Sequence, residues 1–145
     1  MSPDEERLCD ALASVCELAS NTAIETYKVT IDALCGSDSE DVLRCMLRCL
    51  RDTDAGEVQY ELVEASEAFP DYVRVFLDEG LGVHEKAPKW FRLMFQSILN
   101  TPDDAARAIA LINRLPSESR AAYKRILSRI ADDTPQYLGI LERLK

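Results

Sequence analysis

Glu57, Glu61 and Glu64 recur at the four- and three-residue spacing of one helix face, the arrangement in which paired carboxylates could share acid and base work. Nothing apolar surrounds them to lift one carboxyl toward neutrality, so the spacing points to a solvated face or a partner surface ahead of a catalytic pair. Other chemistry-bearing residues are sparse. The single histidine lies in Gly82-Val83-His84-Glu85, and the position three residues before it, where a helical di-iron motif needs glutamate, is Leu81. Asp52-Thr53-Asp54-Ala55-Gly56 opens like a calcium loop, but the twelfth position is Val63 where a bidentate glutamate is required. Cys9 and Cys16 are seven residues apart and Cys45 and Cys49 four apart, with Cys35 between. These are helical spacings without a C-x-x-C pair, and they read as small buried hydrophobes in a reducing compartment. No glycine-rich phosphate loop and no G-x-S-x-G is present. No catalytic residue, metal or cofactor is therefore expected, and the chain is read as a non-enzyme.

The elements that carry these residues are helices. Ser2-Pro3-Asp4-Glu5 supplies an N-cap hydroxyl, a first-turn proline and acids at the positive end of the helix dipole. Leu8, Leu12, Val15 and Ala19 follow as an apolar stripe, and Thr22 with Glu25 reads as a second cap before Ile24, Tyr27, Ile31 and Leu34. Without glycine or proline between Asp4 and Cys35, one long bent helix would serve equally well; Gly36 ends the section. Leu43, Met46, Leu47 and Leu50 mark a third helix whose other side shows Arg44, Arg48 and Arg51. On the helix that follows, Asp54 serves as cap, Val58, Leu62, Ala65 and Phe69 form the core stripe, and Tyr60 and Glu67 fall beside the acidic ridge. Tyr72, Val73, Phe76 and Leu77 continue the pattern to Gly80, and residues 80–89 read as a long loop. Further starts come at Pro88, Pro102, Pro116 and Pro135, and no period-two run occurs. The expected fold is all-α: antiparallel hairpins stacked as a short HEAT-like α-solenoid, or an irregular bundle of about eight helices, in one domain over residues 1–145.

Charge limits the partners. The formal net charge is −9, with 20 acids against 6 bases in residues 1–85 and 6 acids against 11 bases in residues 86–145. Such a polyanion repels nucleic acid and anionic membranes. The basic group Arg120, Lys124, Arg125 and Arg129 lacks interleaved aromatics and reads as a solvated face. No apolar run reaches the length of a membrane span, and residues 1–7 are acidic where a signal peptide is basic, so a cytoplasmic location is expected. Across a hairpin, the arginine stripe is expected to neutralise part of the acidic ridge, leaving an excess of carboxylates for a cationic protein.

The order of an acid-rich helix at residues 58–69, Pro70-Asp71-Tyr72-Val73, a loop, Trp90 and, after seven intervening residues, Ile98-Leu99-Asn100 resembles the immunity protein 30 family of bacterial polymorphic-toxin systems. The resemblance covers residues 52–130, and the first 50 residues are not matched. It implies a small, mostly helical cytosolic protein encoded beside a toxin that it neutralises, including toxins of contact-dependent growth inhibition. Such toxins are often nucleases with cationic clefts. The residues expected to bind the toxin are Asp54, Glu57, Tyr60, Glu61, Glu64 and Glu67, with Asp71, Asp78 and Glu79 at the rim. Trp90, Ile98 and Leu99 are read first as packing residues. The alternative is a helical adaptor or scaffold that binds some other basic protein through the same surface; a small carboxylate hydrolase is the third reading.

Overall fold

The computed structural model describes residues 1–53 and 55–145, and the caps read from the sequence largely start its helices. The Ser2 hydroxyl accepts from the Glu5 backbone N–H at 3.2 Å while the Glu5 carboxylate accepts from the Ser2 N–H at 2.8 Å, closing a capping box on α1 (Pro3–Val15). The next helix, α2 (Asn21–Leu34), is capped by Ser20, which accepts from the Ala23 N–H. Thr22 is thus already inside it, and α1 and α2 are two helices with a turn at Leu18 (φ 52°) between them. Gly36 takes φ +89° just past α2, a conformation that suits glycine. Then come α3 (Glu40–Arg48), α4 (Gly56–Glu67), α5 (Tyr72–Lys86), α6 (Pro88–Asn100), α7 (Pro102–Asn113), α8 (Ser117–Asp133), a 3-10 turn at Pro135–Tyr137 and α9 (Leu138–Glu142). Among the described residues there is no strand, and no helix is long and apolar enough to cross a membrane.

One boundary differs from expectation. Residues 80–86, read as loop, are the last turns of α5, which runs through Gly80, Gly82 and His84. Glycine costs a helix about 1 kcal/mol against alanine, but Gly80 falls on the buried face with Val73, Phe76, Leu77 and Val83. Tertiary packing there outweighs the local preference.

The chain divides into two compact units, Met1–Trp90 and Phe91–Lys145. In the first, alternate helices stack: α1 lies against α3 and α3 against α5, while α2 lies against α4 and the α1–α2 hairpin closes on itself. This is the layering of stacked helical hairpins. Leu12, Tyr27, Ile31, Leu34, Leu43, Met46 and Leu47 fill its interior at 1% exposure or less, and each such aliphatic side chain contributes about 1.5–3 kcal/mol of burial free energy. Of the cysteines, Cys9, Cys16 and Cys49 are buried and Cys45 is half-buried, but Cys35 is exposed. Burial raises the Cys9 thiol to about 12, and it suppresses the reactive thiolate. The second unit centres on an aromatic cluster, Phe91–Phe95 at 5.3 Å, Phe95–Tyr123 at 5.9 Å and Phe91–Tyr123 at 6.3 Å between ring centroids. Ile98 and Leu99 are buried there too. The 3-10 turn and α9 fold against α8, and the Tyr137 hydroxyl donates to Asn100 Oδ1 at 2.8 Å.

Candidate functional site

The acidic helix is rotated from its expected setting. Its buried face consists of Gln59, Leu62, Val63 and Ser66, with Phe69 just beyond, whereas Val58 and Ala65 are only half-buried. Two polar side chains hold interior places because each finds partners. Gln59 Oε1 accepts from the Arg51 N–H at 2.9 Å, and its Nε2 donates to Thr53 Oγ1 at 2.7 Å; the Ser66 hydroxyl donates to the Leu62 carbonyl at 2.8 Å. With that face inward, Glu57, Tyr60, Glu64 and Glu67 come into one exposed row at spacings of three, four and three residues. Tyr60 therefore lies in the acidic row, and half-buried Glu61 lies beside it.

The arginines of α3 do not neutralise this row. Arg44 reaches Glu40 at 2.6 Å, Asp78 at 3.1 Å and Glu79 at 3.1 Å, and Arg48 grips both oxygens of Glu79 at 2.7 and 3.0 Å. Arg51 pairs with Glu17 at 3.0 Å. Arg74 on α5 adds Glu40 at 2.6 Å, with Asp78 and Asp71 at 3.6 and 3.9 Å. The reason is topological: α3 stacks on α5, so Asp78 and Glu79 of α5, with Glu40 of α3 itself, face Arg44 and Arg48. Hydrogen bonds from Arg74 and Arg44 pull the Glu40 carboxyl down to about 2. Burial opposes ionisation of Glu79, but the bonds from Arg48 and Arg44 prevail and hold it below the ordinary range.

The residues expected to bind a partner thus fall into two groups. Asp71, Asp78 and Glu79 belong to the ion-pair ladder between α3 and α5, with Glu79 only 14% exposed. Among the described residues, Glu57, Glu61, Glu64 and Glu67 make no ion pair. Loss of hydration, and then repulsion from Glu64, push the Glu67 carboxyl above its usual value. Asp54 lies outside the described residues.

Trp90 stands beside the row, in a place its sequence context did not reveal. Its ring centroid is 6.5 Å from that of Tyr60, at an interplanar angle of 51°. Asp52 helps hold it there. Its carboxylate accepts from the Lys89 backbone N–H at 3.1 Å, capping the positive end of α6. The 51–53 loop that presents Asp52 is in turn bound to Gln59. One chain of hydrogen bonds therefore fixes the start of α6 against α4. What remains exposed is an anionic row interrupted by tyrosine, with a half-buried tryptophan at its flank.

The first unit is thus a stack of helical hairpins that presents accessible aromatic rings beside carboxylates making no ion pair among the described residues. The model of a family described as Immunity protein 30 matches residues 14–108, and the chain belongs to that family: it is an immunity protein, directed against a toxin. Comparison with curated proteins gave no match, and neither did comparison with solved structures. The family match begins well before residue 52, where the sequence motifs start; it takes in α2 and α3 whole and ends within α7.

Proposed function

We propose that the chain neutralises a cationic toxin domain, a nuclease, by docking the exposed row of α4 on the toxin's basic cleft, and that it performs no turnover itself. The observation that carries this reading is the division of charge in the first unit. The arginines of α3 are occupied by Glu40, Asp78 and Glu79, Arg51 just beyond it by Glu17, and among the described residues the α4 carboxylates pair with no cation. Holding like charges on one face costs stability, and a partner that supplies the missing cations recovers that cost on binding. The setting we infer is the cytoplasm of a cell that carries a toxin of the contact-dependent or polymorphic type, with no cofactor required. Inhibition follows from filling the space that the phosphate backbone would enter. The test is co-expression with the toxin domain encoded beside the gene: growth should be restored and the two chains should co-purify. Continued killing, with no complex recovered, would refute the reading. A complex formed through α4 with a basic protein that is not toxic would instead make this a helical adaptor.

A further inference from the structure

Resting on the reading of the α4 row as the docking face, we infer that Tyr60 and Trp90 form a receptor for one arginine side chain of the partner. Tyr60 is 51% exposed, although its ring area would favour burial, and Trp90 on a second helix is half-exposed beside it. Their centroids are 6.5 Å apart and the rings are tilted by 51°, so the pair is not a parallel stack that would cover its own faces. A cation over the junction lies within about 6 Å of both centroids, the range in which the ring quadrupoles attract it.

Two exposed carboxylates flank this spot on the same row, Glu57 three residues before Tyr60 and Glu64 four residues after it. A guanidinium can use both kinds of group together. Its plane stacks on an aromatic face while its N–H groups, which lie in that plane, point outward to carboxylates. A lysine ammonium is compact and strongly hydrated, and it gains less from the rings. The site therefore selects arginine over lysine, and the aromatic pair supplies discrimination that the acidic row alone does not have.

Trp90 is the only tryptophan in the chain, so its fluorescence reports on the site without a label. The experiment titrates the full chain at low salt with tetra-arginine and, separately, with tetra-lysine. The wild type should bind both, with tetra-arginine tighter by about two- to fivefold, the ratio expected from one cation–π contact at an exposed site, and only tetra-arginine should change the Trp90 emission strongly. Tyr60→Ala should abolish the preference while leaving charge-driven binding, and Tyr60→Phe should retain it. Glu57→Gln with Glu64→Gln should weaken both peptides. Equal affinities in the wild type, or a preference that survives in Tyr60→Ala, would overturn the arginine receptor and leave the acidic docking face standing. Binding of neither peptide would sink both.

Discussion

The effect of reversing charge on the α4 row can be worked out from its geometry. Glu57→Lys combined with Glu64→Lys alters two exposed side chains that make no ion pair among the described residues, so the fold should be unaffected. Each substitution changes the local charge by two units. Against one partner cation at about 10 Å in water, a unit charge contributes about 0.4 kcal/mol, so the double reversal costs the encounter roughly 1.6 kcal/mol before screening, or about 15-fold in association rate. At physiological ionic strength the Debye length is about 8 Å and the same penalty falls to about 0.5 kcal/mol, roughly twofold. Stopped-flow association with the toxin domain, read by Trp90 fluorescence at low and at physiological salt, measures both numbers. Asp103→Lys with Glu118→Lys, two exposed acids of the second unit, makes the same change in net charge and should leave most of the rate intact. If the α4 double variant associates as fast as wild type at low salt, or if the control slows equally, steering by this row is refuted and only global charge matters.

Other outcomes follow from the scaffold. Gln59→Leu keeps the buried volume but strands the Arg51 N–H and removes the bond donated to Thr53 Oγ1. It should cost about 1–3 kcal/mol, which calorimetry would read as a fall of several degrees in Tm, and hydrogen exchange at residues 51–53 should accelerate. Gly82→Ala should stabilise: the residue lies in the interior of α5, is exposed, and an added Cβ would meet nothing within 4 Å. A gain of about 0.5–1 kcal/mol is expected in urea denaturation. Glu40 and Glu79 have folded pKa values depressed below their unfolded ones, so the stability they contribute is complete above the unfolded pKa and lost on acidification. For Glu40 that window runs from the ordinary 4.5 down to about 2. The urea midpoint should fall across this interval, and Glu40→Gln with Glu79→Gln should flatten the fall.

Periodicity carried the architecture further than it carried the site. The proline and cap signals at residues 2, 88 and 102 located helix starts because the first turn of a helix has unpaired N–H groups wherever it occurs. The setting of α4 was less legible. An apolar stripe placed Val58 and Ala65 inward, and the folded chain instead buries Gln59 and Ser66, whose polar atoms are satisfied by Arg51, Thr53 and the Leu62 carbonyl. Such partners are set by tertiary structure and leave no local trace. Nor does sequence adjacency say which helix faces which. The arginines of α3 were assigned to the very next helix, but alternate helices stack and bring α5 against them. That single topological fact ties up Asp78 and Glu79 while it leaves Glu57, Glu64 and Glu67 uncompensated. Trp90 joins Tyr60 for a similar reason, through the bond from Lys89 to Asp52, 37 residues away in sequence.

The central claim, that the exposed face of α4 meets the toxin, is tested most directly by carbodiimide labelling of carboxyl groups, read by peptide mass spectrometry with and without saturating toxin domain. Labelling of Glu57, Glu64 and Glu67 should drop sharply in the complex while that of Asp103 and Glu118 stays constant. Unchanged labelling of the α4 glutamates in a complex that still inhibits the toxin would contradict the claim.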